Sequence, residues 1–394
     1  MWDKATFDDF EPAAFENFKA YNNTNRPLDM GLTSYNMTVV KLISPTSPRI
    51  RVGDVLKYRI ESRDFKGRNR IVGGDFWYAT LTSDRSPKAS TTGYIADYGN
   101  GTYDAFVLAA WPGSAKFNLI LVHTSETVYH MRNTVWNSEG RLFFRGYYRF
   151  NGKNADGRCS MRRQGTWEAM CDYPAYKSLG STVLLCEHKA GFPCESLVSL
   201  GIDSNHIKYS AKQMAKDFEY LYKSAALSNH SLSLHFHGYV IASHTYTITN
   251  WKEEVDALNE LNSTHCSYIV LINQWAHFAQ WTRDSYIERV RLIRQAVIGL
   301  LQRCPDVPVV IKGPHARQHE SVGSIIFGSD YFLKDIELIN QEAFQGTGAF
   351  FLPVWDMNLA YPSSNDVHMP MEVVGEELKM FLGYACDKLM RAAK

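Results

Sequence analysis

The feature that most limits the fold is a rhythm in the second half of the chain, where short apolar runs alternate with segments of helical period. The runs are SLSLHFHGY (231–239), SYIVLI (267–272), VPVVIK (307–312) and AFFLPV (349–354). Helices are expected over 210–227, 250–261, 284–303, 329–344 and 371–386, with Asn250 and Asp284 as caps. Ile287, Val290, Ile293, Val297 and Leu301 recur at helical spacing and predict the buried stripe of the longest helix. A strand that is apolar throughout has no face to give to water and must be covered on both sides. Such strands, joined by helices, predict a doubly wound parallel sheet.

Ligands of such sheets bind outside the carboxyl ends of the strands. The runs lead there into His235 and His237, then Asn273, Gln274 and His277, then Lys312, His315 and Arg317, and last Asp356, Asp366 and His368. The final stretch, 349–370, is the sharpest: an apolar strand stops at Trp355–Asp356, and the polar loop after it carries Asp366 and His368. A carboxylate and an imidazole presented together by a strand end can form an acid–base pair.

The first half has a different texture. Residues 1–34 are a polar lead-in with one weakly amphipathic stretch, DDFEPAAFENF. From Tyr35 onward, NMTVVKLI, DVLKYRIES, DFWYATLTS, YDAFVLAA, FNLILVHT and RLFFRGYYRF are separated by turn clusters, which predicts a β-sandwich. Asn100–Gly101 predicts a tight hairpin turn, and Gly73–Gly74 a bulge or a turn of positive φ. No titratable cluster in this half points to chemistry, so its expected work is binding or presentation.

Residues 151–196 lose periodicity and hold Cys159, Cys171, Cys186 and Cys194, which reads as a loop-rich segment stapled by disulfides. Four cysteines allow three pairings, and the sequence leaves them open. No Cys-x-x-Cys or zinc pattern is present, so no metal and no cofactor are expected. The cysteines, with sequons starting at Asn22, Asn36, Asn100, Asn229 and Asn262, favour an oxidising compartment. The N-terminus MWDKATFDDFEPAAF has neither the basic nor the apolar region of a leader, and no apolar run is long enough to span a bilayer. The expectation is a secreted or luminal chain whose leader lies outside this sequence. Forty-two basic and 41 acidic side chains nearly cancel, which gives no reason to expect nucleic acid as a partner.

Taken together and in order, several blocks resemble the neurexophilin and PC-esterase domain family, NXPE. In the first half they are VGDVLKYRIESRD (52–64), GGDFWYATLTS (73–83) and DYGNGTYDAFVLAAWPG (97–113), followed by the cysteine segment ending FPCESL. In the second half they are HGY (237–239), AHF (276–278), RCPDVPVVIKGPHAR (303–317), PVWDMNLAY (353–361), DVHMP (366–370) and MFLGYAC (380–386). The resemblance implies an N-terminal immunoglobulin-like β-sandwich (35–150), a cysteine-rich linker (151–203) and a doubly wound parallel α/β domain of PC-esterase, SGNH-like type (204–394). It also implies acyl-ester chemistry, as esterase or O-acetyltransferase, on glycan O-acetyl groups such as those of sialic acid.

The match departs from the family pattern in two places. The nucleophile of the family lies in a Gly-Asp-Ser block, for which the nearest counterpart is Gly201-Ile202-Asp203-Ser204-Asn205, interrupted by Ile202. Where the family has Gly-Gln-His-Phe, this chain has Trp275-Ala276-His277-Phe278. An active enzyme would use Ser204 as nucleophile, His368 as base and Asp366 or Asp356 to orient it. Asn273 or Gln274 would serve the oxyanion, and His237, His277, Lys312 and Arg317 would bind substrate. The alternative is an inactive binding protein that recognises a cell-surface receptor or a glycan through its sandwich.

Overall fold

The computed structural model describes residues 31–44, 50–83, 89–132, 136, 143–162, 170–172, 183–202, 246–247, 253–261, 264, 266, 268–276, 278–280, 282–316, 328–361 and 369–392. The N-terminal part is antiparallel β. Strands β1 (Val39–Ser44), β2 (Val55–Glu61), β3 (Phe76–Thr82), β4 (Ser90–Asp97), β5 (Thr102–Leu108) and β6 (Lys116–His123) form one six-stranded sheet in the order β1-β2-β5-β4-β3-β6. Helix α1 (Ser125–His130) follows. A second six-stranded sheet, β12-β11-β7-β8-β10-β9, is built from β7 (Phe143–Phe150), β8 (Lys153–Arg162), β9 (Met170–Asp172), β10 (Val183–Glu187), β11 (Leu197–Ile202) and β12 (Tyr246–Thr247).

Side-chain alternation explains the first sheet. Leu56, Tyr58 and Ile60 of β2 lie opposite Val107, Ala105 and Tyr103 of β5 and face one apolar core. The intervening Lys57 and Arg59 point to the other face, opposite Phe106 and Asp104. There the buried Asp104 carboxylate accepts from Lys57 Nζ at 2.7 Å, from Tyr98 Oη at 2.6 Å and from the Arg59 guanidinium. Burial pushes that carboxyl upward, but the hydrogen bonds from Arg59, Lys57 and Tyr98 outweigh it and hold its pKa at about 2. The β4–β5 hairpin turns through Asn100 and Gly101, the latter at φ +80°, as the dipeptide predicts.

Where the sequence predicts a loop-rich segment, the described residues of 151–196 include β8, β9 and β10, strands held together partly by cross-links. Cys159–Cys186 joins β8 to the directly opposed residue of β10, and Cys171–Cys194 ties β9 to the turn before β11. Gly146 of β7 packs over the first bridge. A Cβ there would lie 2.8 Å from Cys159 Sγ, which leaves no room for a side chain.

The C-terminal part is α/β. It comprises α2 (Glu253–Glu260), β13 (Val270–Ile272), α3 (Arg283–Arg303), β14 (Val309–Lys312), α4 (Asp330–Phe344), β15 (Phe350–Leu352), α5 (Trp355–Ala360) and α6 (Met371–Ala392). The strands run parallel in the order β13-β14-β15. Val309, Val310 and Ile311 of β14 are fully buried, with Val309 and Ile311 in the core against α3 and α4 and Val310 in the cluster against α6. Ile287, Val290, Ile293 and Val297 form the predicted stripe of α3, with Leu301 packed at its margin. Its cap is Thr282, whose side chain accepts from Ser285 N–H, rather than Asp284, which sits in the first turn. A third disulfide, Cys266–Cys304, ties the approach to β13 to the end of α3, while Cys386 is an exposed free thiol. No described helix is long and apolar enough to cross a membrane. The expected helix at 210–227 and strand at 231–239 lie outside the described residues.

The two parts share a core. Val128, Met131 and Trp136 from the connection after β6 pack with α3, α4 and β14. Trp136 lies 4.5 Å, ring to ring, from Phe332. Across the same junction Tyr78 Oη donates to Asp330 Oδ2 at 2.6 Å, and His123 Nε2 lies 2.9 Å from Ser329 Oγ, the cap of α4.

Candidate active site

All three parallel strands release their chains at one edge. After β13, Asn273 is exposed and Gln274 and Trp275 are buried. After β14 come Gly313, Pro314 and the buried His315. Gly313 is held close to β15: its N–H donates to Leu352 O at 3.1 Å, and a Cβ would meet the Phe351 ring at 2.9 Å. After β15 the chain passes directly into α5. Asp356 therefore occupies the exposed first turn of a helix, where the sequence predicts a strand end that opens into a polar loop.

A contiguous set of side chains links these ends. His315 meets Trp275 edge to face at 4.7 Å, and Lys312 Nζ lies 5.7 Å from the Trp275 ring centroid. Lys312 Nζ also pairs with Glu377 Oε2 at 3.3 Å, both side chains largely buried. Glu377 Oε1 in turn accepts from Asn358 Nδ2 at 3.1 Å, and that amide also donates to Val354 O. The ends of β14 and β15 are thus tied to α6 through one fixed ammonium–carboxylate–amide series, with Trp275 and His315 packed edge to face beside it.

On the opposite face of the sheet, Gln274 turns toward α4. Its Nε2 donates to Asn340 Oδ1 at 3.4 Å, and its backbone carbonyl accepts from Tyr286 Oη at 2.8 Å. Burial raises the Tyr286 phenol well above its ordinary range, so it remains a donor. Near α5, burial also raises the Glu337 carboxyl against the opposing charge of Lys334, whose ammonium lies 4.8 Å from the Trp355 ring centroid.

Among the expected site residues, Asn273, Gln274, Lys312 and Asp356 therefore lie at this edge, and Lys312 is the one built into the linked series. Ser204, His237, His277, Arg317, Asp366 and His368 lie outside the described residues. Glu377 and Asn358 were missed. Glu377 was legible as an acid four residues after Val373 on the core-facing side of the closing helix, where an ion needs a partner. Upstream of Ser204, the strand β11 is antiparallel to β7 and belongs to the second β-sheet, not to the parallel one. Near it, Cys171, His188 and Cys194 offer donor atoms within 4.8 Å of one another, but the two sulfurs are bonded to each other and supply no thiolate.

Residues 38–199 match the family model described as Neurexophilin, and residues 200–386 match the one described as NXPE family member 4-like, C-terminal domain. No solved structure matches the chain. The neurexophilin-like part and the three disulfides fit a secreted or secretory-pathway protein. The two matches meet inside β11 and between them take in both β-sheets and the parallel sheet, and the chain belongs to the NXPE family.

Proposed function

We propose that this is a secreted or luminal glycoprotein whose α/β region, of SGNH type, performs acyl-ester chemistry on glycan O-acetyl groups, those of sialic acid among them. The reaction is ester hydrolysis or acetyl transfer. The N-terminal region, as an immunoglobulin-like sandwich, presents or binds the glycan-bearing partner. The exposed sequon residues Asn36 and Asn100 suit a glycoprotein. His368 takes the proton from the nucleophile, Asp366 or Asp356 holds its tautomer, and Ser204 attacks the acyl carbon. Asn273 serves the oxyanion, since the Gln274 amide is engaged with Asn340. His237, His277, Lys312 and Arg317 line the substrate side. The observation that carries this reading is the shared carboxyl edge of β13, β14 and β15, with Lys312, Glu377 and Asn358 linked across it, in the part that matches the NXPE C-terminal model.

A second reading is favoured by β11. The strand that leads to Ser204 is part of an antiparallel sheet, whereas a nucleophile turn of this chemistry follows a strand of the parallel one. On that reading the chain is a binding protein built on an esterase scaffold, recognising a receptor or glycan through its β-rich part. A fluorophosphonate probe separates the two. The enzyme reading expects one labelled serine, mapped by mass spectrometry to Ser204 and lost in Ser204→Ala. A folded wild type that takes no label belongs to the second reading.

A further inference from the structure

A buried charge cluster at the junction of the two parts is unused by the chemistry above. Asp75, Arg70 and Glu126 are 6%, 3% and 7% exposed. Arg70 donates to Glu126 Oε1, to Gly31 O and, at 3.0 Å, to Ser125 Oγ. Asp75 accepts from Thr33 Oγ1 at 2.9 Å, from Ser125 N–H at 2.8 Å and from Tyr103 Oη at 3.1 Å. The guanidinium pairs with Glu126, and Asp75 is held beside that pair through Ser125, within reach of both charges, so ionising both carboxylates leaves a buried negative charge in excess. Burial and then the Glu126 charge push the Asp75 carboxyl up to about 7, against the Arg70 charge and the hydrogen bonds from Ser125 and Thr33.

The other ionisable groups facing the cluster are the Tyr103 phenol and the Asp64–Arg68 pair beside Gly31. At the junction itself stand His123, on Ser329, and Tyr78, on Asp330. The cluster connects to the α/β part through a short path. Ser125, whose N–H and Oγ it holds, opens α1, and Val128 of α1 with Met131 beyond it packs into the core shared with α4.

We propose that Asp75, Glu126 and Arg70 form a proton-operated latch, in which proton uptake locks α1 and the start of α4 together and proton loss loosens them. With Asp75 neutral, Glu126 and Arg70 balance. With Asp75 ionised, the excess charge is relieved by opening α1, whose Ser125 N–H bonds to Asp75, away from Asp75 and from α4. A carboxyl whose pKa is raised by folding contributes stability that is complete below its ordinary range and is lost as pH rises through about 7. One proton held by the closed state alone makes opening about tenfold more populated per pH unit across that window. The latch is independent of the ester chemistry, and its test needs no turnover.

Hydrogen exchange of the whole chain between pH 5.5 and 7.5, corrected for intrinsic rates, reads the latch directly. Protection over 125–132 and 328–333 should fall as pH rises, at roughly tenfold per unit. Asp75→Asn should keep both segments protected at every pH, and Glu126→Gln should shrink the dependence and move it to lower pH, because it removes the like charge that raises the Asp75 carboxyl. His123→Gln should leave the dependence intact. The proposal is overturned if wild-type protection does not change with pH, or if Asp75→Asn follows the wild type. It is equally overturned if His123→Gln alone abolishes the dependence. Should Asp75→Asn fail to fold, Glu126→Gln and the wild type decide the matter between them.

Discussion

Two buried clusters of carboxylate and cation invite comparison. In the β-rich part, Asp104 collects Lys57, Arg59 and Tyr98 on the face of a sheet. In the α/β part, Glu377 collects Lys312 and Asn358 at the ends of strands. The ingredients are nearly the same, and the difference lies in where the chain places them. On a sheet face the cluster satisfies side chains that alternation must turn outward. At a carboxyl edge the same chemistry fixes an ammonium where loops converge and a substrate can reach. Position relative to the strand ends, rather than charge, separates a structural network from a candidate site.

Three substitutions test how far the two parts differ, beginning with the largest effect. Phe332→Ala removes a fully buried ring that Trp136 packs against, and should cost about 3–5 kcal/mol. Because that ring belongs to the shared core, urea unfolding followed by tryptophan fluorescence and by far-UV dichroism should remain coincident. Separate transitions would show that the two parts are independent. Next, Glu377→Gln leaves the Lys312 ammonium largely buried with a neutral partner, and should destabilise by about 2 kcal/mol. If the edge is a site, this variant should also lower ester turnover, while Asp104→Asn should not. Equal turnover in the two variants would erase the distinction drawn above.

The smallest effect is a pH dependence. The Asp104 carboxyl is depressed on folding, so its contribution is present above its ordinary range and is lost as pH falls through about 2. Lys57 and Arg59 are about a third exposed, and screening by water reduces the contribution to roughly 1 kcal/mol. Acid unfolding of Asp104→Asn should lack that component, in contrast to Asp75, whose contribution disappears as pH rises.

Much of the architecture could be read from alternation and continuity of apolar residues. β2 and β5 announce themselves by period, and β14 by being apolar throughout. β4 did not, because Ser90–Asp97 has few large apolar residues, and its Gly93 fits where a Cβ would meet Val107 at 2.8 Å. β8 and β9 show little apolar pattern, the one a polar run and the other three residues long, and their cohesion rests partly on disulfides and backbone pairing; β10 carries a short apolar run, Val183–Cys186, inside the segment read as loop. α5 was hidden because six residues, Trp355–Ala360, are too few to show a helical period, and its geometry is supported by Asn358 bonding back to Val354 O and by the burial of Trp355. At the site, Lys312 was legible as a lone cation ending an apolar strand, whereas its partner Glu377 comes from a helix far along the chain. That pairing is a tertiary fact, and local pattern carries only half of it.

The most direct test of the central claim is acetate release from an O-acetylated sialoglycan by the purified chain. The account predicts release by the wild type, a fall of at least about a hundredfold in His368→Ala, and no change in Asp104→Asn. Equal release by wild type and His368→Ala, or none from a folded wild type, would contradict it.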